Sequence, residues 1–109
     1  MPYDQELADR LRLLLNGRGL VEKRMFGGLA FLHNGHLAVA ASGQGGLLVR
    51  VPPQQTEALR DEPGVEPFVM QGRPMTGWLR VAQQALEADA LLQQWAERGY
   101  AYAGSLPPK

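Results

Sequence analysis

The sequence predicts an α+β fold: an antiparallel β-sheet of about five strands, a meander plus a hairpin, packed against N- and C-terminal helices in the order α-βββ-α-ββ-α. Three observations carry this expectation. Leucines recur at helical spacing near the start, an Asn34-Gly35 pair sits between two apolar runs, and helical spacing returns towards the end.

Asp4 is suited to cap the first helix, with Glu6 and Asp9 near the positive end of its dipole. Leu7, Leu11, Leu14 and Leu15 form its apolar stripe. Gly17 can take the left-handed position that stops it, so the helix is predicted over residues 4–16.

Residues 27–51 read as β-structure. Asn34-Gly35 is the preferred pair for a two-residue type I′ turn, because both positions need positive φ. That turn fixes a register in which His33 faces His36, Leu32 faces Leu37, Phe31 faces Ala38 and Ala30 faces Val39. Alternation then places Leu32, Leu37, Ala30 and Val39 on one face, and Phe31, His33, His36 and Ala38 on the other. Ser42-Gly43-Gln44-Gly45-Gly46 is a turn into a third strand, Leu47 to Val51.

Pro52-Pro53 ends that strand, and a short helix is predicted over residues 54–60. Residues 61–64 are a break. Residues 65–70 form a fourth strand, with Pro67 pointing to a sheet edge. Residues 71–74 are a turn, and residues 75–81, with Trp78, form a fifth strand. A last helix covers about residues 86–102, with Leu91, Leu92, Trp95 and Tyr102 as its buried stripe and Gly99 either ending it or allowing close packing. Residues 105–109 read as a tail.

The 109 residues fit one domain. Apolar residues make up 45% and charged residues 20%, the balance of a folding chain rather than a disordered one. Eleven basic and eleven acidic residues cancel, which argues against a dedicated nucleic-acid binder while leaving room for a local patch. The chain has no cysteine, so disulfides, thiolate metal sites and cysteine nucleophiles are excluded. The polar N-terminus lacks a signal-peptide pattern, and no apolar run approaches the roughly 20 residues of a membrane span. The expected compartment is the cytoplasm, with no membrane association.

Arg24-Met25-Phe26-Gly27-Gly28, then Asn34-Gly35, then Leu47-Leu48-Val49-Arg50-Val51 resemble the TfoX/Sxy N-terminal-domain family. Glu66-Pro67-Phe68, the turn before Met75-Thr76-Gly77-Trp78, and the closing Trp95, Tyr102 and Ser105-Leu106-Pro107 extend the resemblance over nearly the whole chain. It implies an α+β domain with an antiparallel sheet. The family's founding members are linked to regulation of natural competence with the cyclic-AMP receptor protein, and carry a second, C-terminal domain. This sequence resembles the stand-alone N-terminal type, for which the resemblance implies no settled activity.

Lys23 and Arg24 beside Gly27 and Gly28, with Arg50 and Arg73 as further members, are the candidate residues for binding a ligand or partner. Glycines let a ligand approach the backbone and basic side chains supply charge. The spacing is not that of a phosphate loop, however, and the same glycines serve a bulge or a tight contact with Met25 and Phe26 in the core. His33 and His36 face each other across the turn as two weak metal-ligand candidates, but a zinc site needs at least three protein ligands, so an exposed pair is the plainer reading and no metal is assigned. Ser42, Thr56, Thr76 and Ser105 lie in no nucleophile motif, and a triad would need one of them folded back onto the histidines. Asp61, Glu62 and Glu66 read as a solvated acidic surface, and Trp78 and Trp95 as core anchors. Tyr100 and Tyr102 are free to face a partner. No catalytic residue and no cofactor are assigned. The leading expectation is a small non-enzymatic module that contacts another protein, in transcriptional regulation or as a homodimer through a sheet edge. The alternative is a small-ligand or nucleic-acid binder using the basic residues. An enzyme of unknown reaction stands third.

Overall fold

The structure, a computed structural model, describes residues 3–25 and 27–108. Helix α1 spans Gln5–Leu14, and the Asp4 carboxylate caps it by accepting from the Leu7 amide at 3.2 Å. Gly17 has the expected left-handed φ of 80, but the helix ends before it, at Leu14 with Leu15 as its C-cap, two residues short of the expected end.

Strand β1 (Val21–Met25) follows at once. The sequence reading placed no strand here, and the sheet has six strands, not five. The reason is physical. Strand β1 lies at the sheet edge, and Val21, Glu22, Lys23 and Arg24 are all exposed, so its sequence shows no buried-exposed alternation.

Strands β2 (Gly28–His33), β3 (His36–Ala41) and β4 (Leu47–Arg50) form the meander. Asn34 and Gly35 both have positive φ, as a type I′ turn requires. His33 pairs with His36 and Leu32 with Leu37 as expected, but the register then shifts. Phe31 pairs with Val39 and Ala30 with Ala40, so Ala38 is the extra residue of a β-bulge. This corrects the face assignment from the bulge onward. Val39 joins Phe31 in the larger core, while Ala30, Leu37 and Ala40 belong to the opposite face.

A 3₁₀ turn (Pro53–Gln55) and the short helix α2 (Thr56–Leu59) connect β4 to the second hairpin. Thr56, 2% exposed, is spent on this joint. Its hydroxyl donates to the Pro53 carbonyl at 2.8 Å and accepts from the Gly77 amide at 2.9 Å. Strands β5 (Val65–Met70) and β6 (Arg73–Val81) turn on Gln71-Gly72 alone, so β6 starts two residues earlier than expected. The antiparallel order is β1-β2-β3-β4-β6-β5, with β5 at an edge as Pro67 suggested.

A second 3₁₀ turn (Gln83–Leu86) leads to helix α3 (Asp89–Ser105), which runs three residues beyond its expected end. Its buried stripe is Leu92, Trp95, Ala96, Gly99 and Ala103; Leu91 is 45% exposed and Tyr102 is half-buried. Gly99 does not end the helix. A Cβ there would overlap the Ala38 carbonyl oxygen and lie 2.8 Å from Val39 Cγ1, so the missing side chain lets α3 seat directly on β3.

The two helices cover one face of the sheet. Leu7, Leu11, Phe31, Val39, Val49, Leu79, Leu92 and Trp95 build the main core between them. Among the described residues no helix covers the other face in the same way. There Ala30, Leu37, Ala40 and Leu48 are buried under Met25, Leu32, Phe68 and Trp78, side chains of the sheet itself. Met25 of β1 and Phe68 to Met70 of β5 line the same groove, although their strands stand at opposite ends of the order. The sheet is therefore curled into a half-barrel, helped by the two bulges. No helix among the described residues is long and apolar enough to cross a membrane.

Candidate functional site

The residues singled out from the sequence do not converge. Lys23 pairs with Ala30 and Arg24 with Leu29, so alternation sends them to opposite faces of an edge strand. Arg50 belongs to β4, three strand spacings from β1 in the sheet order, about 14 Å along the sheet. Arg73 opens β6 beside the Gln71-Gly72 turn. Arg50 is already engaged: its guanidinium lies over the Trp78 ring at 4.8 Å and the Tyr102 ring at 5.7 Å.

Gly27 and Gly28 face their own chain. A Cβ on Gly28 would overlap the Ala41 carbonyl oxygen and sit 3.0 Å from the Gly43 nitrogen. A Cβ on Gly43 would in turn meet the Gly27 oxygen at 2.6 Å. Residues 27–28 thus cross residues 41–43 backbone to backbone, and the space a ligand would need is filled by the chain. Phe26, expected beside Met25 in the core, lies outside the described residues.

The histidines are half-buried, not an exposed pair. His33 stacks on Tyr100 at 4.6 Å and closes on Gly104. His36 Nε2 and the Pro107 carbonyl oxygen are 2.7 Å apart, which holds the segment after α3. No third His, Cys, Asp or Glu joins them among the described residues. Tyr100 also carries Arg18 over its ring at 4.9 Å, so both late tyrosines serve contacts within the chain. Ser42 follows the far end of β3 from His36, roughly 20 Å away at about 3.4 Å per residue, too far for the two to share a triad. Ser105 donates to the Tyr102 carbonyl at 2.7 Å. Glu62 of the acidic run lies 3.8 Å from Arg98.

The feature the sequence reading missed is on the open face. A groove of about 290 Å³ runs over Ala40 and Leu48, between Met25 on one side and Phe68, Val69 and Met70 on the other. Phe68 is propped by Trp78, their rings 5.9 Å apart. The polar end of the groove is Arg80 with Ser42 and Gln44. Arg80 Nη1 donates to Ser42 Oγ and Gln44 Oε1, both at 3.1 Å, and Nη2 donates to the Gly45 carbonyl at 2.9 Å. A signal did exist: in Gly77-Trp78-Leu79-Arg80-Val81, alternation puts Arg80 on the face of Trp78.

Four other arginines meet carboxylates. Arg12 bonds Glu22 and Asp9, and Arg18 bonds Glu97. The Arg12 hydrogen bond holds the Glu22 carboxyl below the usual carboxylate range, and Arg18 does the same to Glu97. Arg10 pairs with Asp89 at 2.9 Å and donates to the Leu86 carbonyl at 2.8 Å, closing the polar cleft between α1 and the start of α3.

In fold, the domain is similar to a crystal structure from Pseudomonas syringae, a target of the Northeast Structural Genomics Consortium. The TM-score is 0.63 over 92% of this chain and 98% of that one, at 12% identity, which speaks for the fold alone. No curated protein matches the sequence. The family described as the TfoX N-terminal domain matches residues 13–103, a span from within α1 to within α3 that includes all six strands. With the helix-meander-hairpin-helix order and the crossing of residues 27–28 with residues 41–43 in place, the chain belongs to the TfoX N-terminal domain family.

Proposed function

We propose that the domain is a non-enzymatic, cytoplasmic protein-contact module that engages a partner chain along the edge strand β5. The observation that carries this reading is the exposure of Val69 (52%) and Met70 (38%) on that strand, at the rim of the open-face groove. Strand β5 ends the sheet order, so its outer side is unpaired among the described residues. An unpaired edge with apolar side chains offers backbone hydrogen bonds for affinity and a groove for a side chain of the added strand. A second copy of the chain is one such partner. The family's link to transcriptional regulation suggests the setting in which that contact is used.

The alternative of nucleic-acid binding through Lys23, Arg24, Arg50 and Arg73 has less support, because these charges are dispersed over the sheet and the chain is neutral overall. The test is a cross-linking pull-down with the wild-type protein, with Val69→Lys/Met70→Lys, and with Lys23→Ala/Arg24→Ala, each first sized in solution. Lysines on the edge block strand addition. Partner capture, or self-association, is expected to disappear in the double-lysine protein and to persist in the double-alanine one. Capture that ignores the lysines and fails with the alanines would overturn the β5 reading.

A further inference from the structure

We infer that the open-face groove is a binding site for a small amphipathic anion, a carboxylate with an aliphatic or aromatic tail. The tail lies over Leu48 and Phe68 and the carboxylate meets Arg80. This goes beyond the contact made by the β5 edge and does not depend on it.

Size and lining come first. About 290 Å³ is at the small end of ligand pockets, which run from about 300 Å³ upward. Such pockets are mostly apolar with a few polar groups that fix orientation. Here the walls are Met25, Leu48, Phe68, Val69 and Met70, and the polar groups gather around Arg80.

Charge decides the ligand's sign. Arg80 is half-buried and held by three neutral acceptors, the Ser42 hydroxyl, the Gln44 amide oxygen and the Gly45 carbonyl. Those bonds fix the guanidinium without neutralising it. They use three of its five N–H donors, which leaves two for an incoming carboxylate. Arg10, Arg12, Arg18 and Arg98 each have a carboxylate within ion-pair distance; Arg80, like Arg24, Arg50, Arg60 and Arg73, is in none of those pairs, and of these five it is the one that lines the groove. Glu66 is its cross-strand neighbour and lines, together with Arg80, a shallow groove beside Gln83 and Gln84, yet no ion pair within 4.0 Å forms between them. A fixed, partly desolvated cation at the end of an apolar groove favours an anion with an apolar tail over a neutral or cationic molecule of the same shape.

The experiment titrates the wild-type protein with octanoate, octanol and octyltrimethylammonium and follows the NMR signals of Leu48, Phe68, Val69 and Arg80. Octanoate is expected to shift these signals with an affinity at least about tenfold above that of octanol, and the ammonium is expected not to compete. Arg80→Gln should bring octanoate down to the level of octanol. Glu66→Gln, which removes the cross-strand carboxylate, should tighten octanoate binding. Equal binding of octanoate and octanol to the wild type, or shifts that map away from the groove, would overturn the assignment. Arg80 also ties down residues 42–45, so the wild-type comparison decides the matter even if Arg80→Gln does not fold. A failure here leaves capture at the β5 edge unaffected, so the two readings fail separately.

Discussion

On its helix side the sheet is closed by α1 and α3, with Leu11, Leu92 and Trp95 seated on Phe31, Val39 and Val49. On its other side the same strands bury Ala30, Ala40 and Leu48 with nothing but side chains from β1, β2, β5 and β6. The first face is a core in the ordinary sense, a continuous cluster of buried apolar side chains. The second is a shell: Phe68 and Trp78 lean over small residues and leave a groove beside them. The small side chain of Ala40 lowers the floor of that groove, so one sheet serves stability on one side and offers a surface on the other.

The largest expected effect tests this contrast directly. Leu92 and Leu48 are both buried, 0% and 3% exposed. Leu92→Ala leaves a closed cavity and should cost about 4 kcal/mol. Leu48→Ala deepens a groove already open to solvent and should cost about 2 kcal/mol. Urea unfolding of the two variants checks it, and equal midpoints would mean that the two faces are energetically alike.

Gly99→Ala comes next. Alanine favours a helix over glycine by about 1 kcal/mol, yet its Cβ would overlap the Ala38 carbonyl oxygen. The net loss should be about 2 kcal/mol, because a backbone atom cannot move aside as a side chain can. A stabilised Gly99→Ala protein would show that α3 does not sit as closely on β3 as described.

A smaller effect sharpens the view of the open side. Gln71 has φ 53 in the two-residue turn between β5 and β6, where asparagine is better suited. Gln71→Asn should stabilise by about 0.5 kcal/mol in thermal melts.

The smallest effect concerns the tie between β1 and the helix side. The Glu22 carboxyl is held below the usual range by Arg12. Its contribution is therefore complete at neutral pH, above the ordinary carboxylate value, and is lost as pH falls through the lowered one. Glu22→Gln should lower the melting temperature slightly at pH 7, and the difference from wild type should vanish in acid. A difference that grew in acid would contradict the sign of this linkage.

Particular residues show why some of this was legible and some was not. Asp4, Asn34-Gly35 and Gly17 carry their own conformational preference and adopt it, although α1 ends short of Gly17. Strand β1 carries none, since an exposed edge needs no alternating pattern. The bulge at Ala38 is likewise invisible locally, because it depends on how β2 and β3 bend together under α3. Lys23 and Arg24 suggested a site because they are adjacent in sequence, and strand alternation separated them. Arg80 drew no attention because it stands alone in sequence. Its three partners lie more than thirty residues away.

By itself the sequence determined the order of helices and hairpins and the family resemblance, since both rest on local spacing, turn chemistry and a few adjacent residues. Only the tertiary structure decided the sixth strand, the register beyond the bulge, and the groove with Arg80 at its end. These arise where the sheet curls far enough to bring Met25 and Phe68 together. Curvature is a property of all six strands at once and is written in no single segment.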